Sequence, residues 1–275
     1  HVAGLAASFL SLASVYVFNY TSYHQYELFV GTCLVLVCYL TISRSSHNVK
    51  STRLQITYGV IAGVLMSLAV LSAAKTALVA VVIAAWLIIC ALRGEKRYML
   101  AAYLVVGMII CGLWVQRNLH CFDEFIPVTT NGGVVYYIAH NHKSQLTGYV
   151  DPWFADPDIN YEGLEAHDSA SWYALGNAYI TAHPVETARD ALIKFFLFFK
   201  PRFADQSMVI LLVIFVIWRR LRDGTMIAED GVWWIGIPVS IALIHSMYHL
   251  EPRYILPVWP FLALFAAQAF ARTVK

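Results

Sequence analysis

Long runs almost without charge recur along this chain, and they limit its possible folds more than any other feature. A helix needs about 17–25 mostly apolar residues to cross the hydrocarbon core of a bilayer. Candidate spans lie at 2–20, 26–42, 56–73, 76–92, 98–115, 206–218 and 232–248, with an eighth at 254–271. The sixth is short, and the aromatic run 192–199 before it reads as lying along the interface. Of 275 residues, 59% are hydrophobic and 13% are charged, against about 25% charged in ordinary soluble domains. A soluble fold could not hide that much apolar surface. The expectation is an all-α polytopic membrane protein, a bundle of seven to eight transmembrane helices with one large outer loop that contains short helices. Helices fill 1–115 (about five spans), the loop 116–205, and two or three further spans 206–275.

Charge adds an orientation. Assigning the connections alternately puts Arg44, Lys50, Arg53, Arg93, Lys96, Arg97, Arg219, Arg220, Arg222, Arg272 and Lys275 on one side, with Glu95, Asp223, Glu229 and Asp230 as its only acids. Short basic connections stay inside, so this face is read as cytoplasmic and the loop 116–205 as non-cytoplasmic, in a plasma or inner cell membrane. A net charge of +2 gives no ground for a nucleic-acid partner.

Five cysteines, Cys33, Cys38, Cys90, Cys111 and Cys121, show no CxxC spacing and no extracellular framework, and only Cys121 lies in a polar stretch. They read as small buried hydrophobes. The chain runs from His1 straight into a span without an initiator Met, so it reads as a piece of a longer sequence.

The loop is too long for a passive connector. Its first part is rich in turn signals: Asn131-Gly132-Gly133, Thr147-Gly148, Asp151-Pro152 and Asp156-Pro157-Asp158. Its second part has helical periodicity over 168–182, and Pro184 suits the start of another helix whose apolar face runs on through 185–199.

Ionisable groups at the edge of a span cost a few kcal/mol if they face lipid. Glu27, Lys75, Arg117 and Arg253 all fall at outer ends of spans. Each has a bland explanation. Lys75 can snorkel at its turn; Arg117 can anchor the interface beside Trp114; Glu27 can favour its helix dipole; Glu251 and Arg253 can form a local surface pair. Taken together, three cations and a carboxylate under one outer loop form a chamber suited to a phosphate-bearing ligand. His245, inside 232–248, reads as a hydrogen-bonded interhelical residue.

The stretch Trp114-Val115-Gln116-Arg117-Asn118, then Phe125-Ile126-Pro127-Val128-Thr129-Thr130-Asn131-Gly132-Gly133 and Thr147-Gly148-Tyr149, resembles the bacterial members of the dolichyl-phosphate-mannose protein mannosyltransferase superfamily. These are membrane glycosyltransferases of the GT-C fold that include the lipid A aminoarabinose transferases. Ile180-Thr181-Ala182-His183-Pro184 with Lys194-Phe195-Phe196 is similar to their juxtamembrane helix, and His249-Leu250-Glu251-Pro252-Arg253-Tyr254 with Pro257 and Pro260 to their closing motif. Leu113 stands where the family pattern has Pro.

The resemblance implies a cell-envelope transferase that moves a sugar from a polyprenyl-phosphate donor to a glycan, lipid or protein acceptor at the outer face. It implies Lys75, Arg117 and Arg253 on the lipid phosphate, Asn118, Asn131, Glu251 and Tyr254 on substrate, and Glu27 as an accessory catalytic carboxylate. The main carboxylate is expected upstream of His1, which makes this chain the C-terminal two-thirds of such an enzyme. No cofactor is fixed, and a divalent metal is left open. Two alternatives are an O-antigen ligase or polymerase, which tends to pair arginines in its loop where Arg189 and Arg202 here stand apart, and a transporter, which would show repeated halves.

Overall fold

The computed structural model describes residues 25–42, 51–141, 144, 169–202, 204–224, 231–248 and 250–271. The candidate span 2–20, the basic residues Arg44, Lys50, Arg272 and Lys275, the acids Glu229 and Asp230, and the turn signals from Thr147 to Asp158 lie outside the described residues.

Among the described residues every regular element is helical. In chain order they are α1 (Gln25–Ile42), α2 (Thr52–Ser72), a 3-10 turn (Ala74–Thr76), α3 (Ala77–Leu92), α4 (Arg97–Phe122), α5 (Gly132–Ala139), α6 (Ser169–Ala182), α7 (Pro184–Phe198), α8 (Ala204–Arg222), α9 (Gly231–Ser246), a second 3-10 segment (Pro252–Val258) and α10 (Trp259–Ala271). Among the described residues, three stretches are long and apolar enough to cross a membrane: Thr52–Ser72, Ala74–Leu92 and Arg97–Phe122. Shorter apolar helices occupy Tyr26–Thr41, Ile235–Ser246 and Arg253–Ala267.

Two elements differ from expectation in an informative way. Helix α4 continues past residue 115 to Phe122, a length of about 39 Å at 1.5 Å per residue. It carries Trp114, Arg117 and Asn118 on its last turns, so these residues begin no loop. Asn131-Gly132-Gly133 opens α5, with Asn131 at the N-cap position. The apolar run from Val134 to Ala139 outweighs the two glycines and keeps the segment helical.

The helices of the first half pack through small residues. Gly59 and Gly63 sit one turn apart on α2, and a Cβ built on Gly59 would stand 2.5 Å from the Met99 carbonyl oxygen. Only glycine allows α2 and α4 to come so close, the usual device for helix association where hydrophobic burial gives no drive. Helix α1 packs on α2 and on the 3-10 segment Pro252–Val258, α8 on α10, α7 on α9, and α5 on α6.

A lysine closes the same end of this group, beside the Gly59–Met99 contact. Lys96, at φ 48°, caps the start of α4. Its buried ammonium donates to the Thr41 carbonyl at 2.8 Å, satisfying one of the orphan acceptors at the end of α1.

Candidate functional site

Glu27 lies in the first turn of α1, Lys75 in the 3-10 turn between α2 and α3, and Glu251, Arg253 and Tyr254 at the start of the 3-10 segment before α10. All three places are ends of apolar helices, and the packing of α1 on the 3-10 segment brings them together. Arg253 is the hub. Its Nε is 2.9 Å from Glu251 Oε2 and 3.6 Å from Glu27 Oε1. Its Nη2 donates to Glu251 Oε1 at 3.2 Å, and the Tyr254 hydroxyl donates to the same oxygen at 3.2 Å. Glu27 has 0% exposure, and among the described residues neither of its carboxylate oxygens accepts a hydrogen bond. A buried carboxylate 3.6 Å from its arginine is an expensive group to keep.

Lys75 joins through Tyr254. Its ammonium stands 3.6 Å from the ring centroid, a cation–π contact. The His245 ring stacks on Tyr254 with centroids 4.2 Å apart and planes at 17°, and lies against Phe198 as well. His245 is thus placed by ring contacts at the end of α9.

Beside this cluster is a cavity of about 520 Å³, within the range of small-molecule sites. Lys75, His245 and Tyr254 line it from the helix ends, Thr129 and Asn131 from the segment that follows α4, and Tyr173 from α6. The wall is fastened to α4 by two side chains. The Asn118 amide donates to the Ile126 carbonyl at 2.8 Å, and Trp114 Nε1 donates to the Val128 carbonyl at 3.3 Å.

The sequence-predicted residues therefore divide. Lys75, Asn131 and Tyr254 line the cavity, and Glu27, Glu251 and Arg253 form the charge cluster joined to it through Tyr254. Asn118 is buried behind the wall, which it holds. Arg117 is exposed, with its guanidinium over the Trp114 and Phe122 rings and one hydrogen bond to Asn118 Oδ1 at 2.9 Å. It does not line the cavity. The expected set of three cations and one acid is instead two cations and two acids, with Lys75 the cation turned to the cavity.

Three tyrosines of the lining were not picked out from the sequence: Tyr26, Tyr173 and Tyr248. Each stands near a helix end, but aromatic residues are common at membrane interfaces, so no local pattern separates these from anchors. A second buried polar group lies behind α5. Lys194 donates to the Ala139 carbonyl at 3.4 Å, and His140 Nε2 donates to the Met247 carbonyl at 2.9 Å. Burial and the neighbouring Lys194 charge push His140 down to about 4, and burial pushes Lys194 down to about 8.

Among the described residues no three His, Cys, Asp or Glu side chains converge as metal ligands would. No protein-family model matches this chain, and no curated protein or solved structure does.

Proposed function

We propose that this chain belongs to a membrane glycosyltransferase that passes a sugar from a polyprenyl-phosphate carrier to an acceptor at the outer face. The observation that carries the reading is the meeting of Lys75, from the turn between α2 and α3, with Glu251, Arg253 and Tyr254, from the segment before α10, beside one cavity. The motif order from Trp114 to Gly133 and from His249 to Tyr254 supports it. In this reading seven or eight spans surround the site, and the loop 116–205 roofs it from the non-cytoplasmic side.

The chemistry assigns the groups as follows. The bond between the sugar's anomeric carbon and the phosphate oxygen breaks, and negative charge grows on the departing lipid phosphate. Lys75 opposes that charge from the cavity wall, in an apolar setting where a fixed cation acts strongly. Arg253 is held in place by Glu251 and Glu27 and supplies the field behind Tyr254. Glu27 is in this scheme the positioning partner of Arg253, since it is buried away from the lining. The acceptor's proton goes to a carboxylate outside the described residues.

The test is transfer of a radiolabelled sugar from polyprenyl phosphate by the full-length protein in proteoliposomes. Lys75→Ala should lower transfer roughly 100-fold while the protein stays monodisperse in detergent. Wild-type turnover in that variant would refute the assignment.

A further inference from the structure

The cavity presents two kinds of aromatic ring. Tyr254 has both faces occupied, one by the Lys75 ammonium and the other by His245, so no ligand ring can lie on it. Tyr173 and Tyr248 also line the cavity, and their hydroxyls are 3.5 Å apart. Behind them Tyr136 braces both, with centroids 5.1 Å from Tyr173 and 5.7 Å from Tyr248. Tyr136 is itself fixed by a 3.0 Å hydrogen bond to Asn177 Oδ1 and by the edge of His140 at 4.6 Å.

The pair is a built feature. A Cβ on Gly132 would stand 2.6 Å from the Tyr173 hydroxyl, so a side chain at position 132 would make the phenol shift from this place. Burial pushes the Tyr136 phenol up.

We infer that Tyr173 and Tyr248 form a saccharide subsite, in which one face of a pyranose ring stacks on the tyrosines while its hydroxyls bond to their phenols and to Asn131 and Thr129. The C–H bonds on a sugar face carry partial positive charge and meet the negative face of an aromatic ring, and phenol and amide groups satisfy the hydroxyls around it. The inference rests on the transferase reading, to which it adds where the donor's sugar sits relative to Lys75.

The experiment is saturation-transfer NMR on the full-length protein in nanodiscs, with methyl α-D-glucopyranoside as probe and open-chain sorbitol as the ring-free control. The glycoside should receive saturation and sorbitol should not. Tyr173→Ala and Tyr248→Ala should each weaken glycoside binding roughly two- to tenfold, the amount expected for one aromatic contact. Tyr248→Phe, which keeps the ring, should retain most of it and so separates stacking from misfolding. Binding of polyprenyl phosphate is measured in parallel. If the lipid binds and the glycoside signal equals that of sorbitol, or survives in the double alanine variant, the subsite is overturned alone. If the glycoside binds through these tyrosines and the lipid does not, the transferase reading fails and the subsite stands.

Discussion

The Lys75 ammonium stands 3.6 Å from the centre of the Tyr254 ring. That contact gives a lysine at the tip of an apolar hairpin a fixed address, which a snorkelling side chain would lack. It also divides the work of Tyr254, whose hydroxyl goes to Glu251 while its ring holds the cation.

Loss of that cation should be felt in the chemical step. Lys75→Ala is expected to lower transfer roughly 100-fold, the scale seen when one preorganised charge donor is removed. Tyr254→Ala should lower it as well by freeing the lysine, and Tyr254→Phe should do so less. The check is single-turnover transfer in proteoliposomes; equal rates in Phe and Ala variants would deny the ring its role.

Arg253 and Glu27 should be coupled in stability. Arg253→Ala strands a carboxylate of 0% exposure and should cost on the order of 3–5 kcal/mol. Adding Glu27→Gln removes the stranded charge and should recover most of the loss. Thermal melts of the two singles and the double in one detergent measure this, and purely additive losses would count against the pair.

Acid should loosen the junction of α5 with α9. His140 is held at about 4 by burial and Lys194, against about 6.5 unfolded. Above pH 6.5 the group is neutral in both states and no penalty arises. As pH falls from 6.5 towards 4 only the unfolded chain takes the proton, so stability is lost across that window, by up to about 3 kcal/mol. His140→Gln should flatten the melting temperature between pH 4 and 6.5. A slope as steep as the wild type's would show that other groups control it.

Gly59→Ala should separate α2 from α4, because its methyl would meet the Met99 carbonyl and not a yielding side chain. Overpacking of this kind costs about 1–3 kcal/mol. A melting temperature within experimental error of wild type would exclude a contact this tight.

Cys121 is exposed near the end of α4, so a thiol reagent that cannot cross membranes should label it in intact cells. Labelling only after lysis would invert the proposed orientation.

Much of the helical layout was legible, because a span declares itself by length and lack of charge. The predicted starts and ends of α1, α3 and α9 lie close to those observed, and Pro184 marks the start of α7. The end of α4 was not readable, since Gln116, Arg117 and Asn118 are polar enough to pass for a loop yet bond within a helix. The site was half legible. Lys75, Glu27 and Arg253 stood out as charges in apolar surroundings, while Arg117, which has the same signature, faces outward onto Trp114 and Phe122. Sequence marks the depth of a charge but not its direction around the helix axis. The tyrosines were invisible for a related reason: what distinguishes Tyr173 is the bare Gly132 beneath it, a relation between distant positions.

The bond from Lys96 to Thr41 implies an order of assembly. A ribosome delivers α1 before α4, so the last turn of α1 leaves the exit tunnel before Lys96 exists to donate to the Thr41 carbonyl. The partner arrives 55 residues later, after α2 and α3 have been made. Until then that carbonyl is left to water or headgroups, so a chain truncated before Lys96 should keep α1 against α2 but lack this tie between α1 and α4.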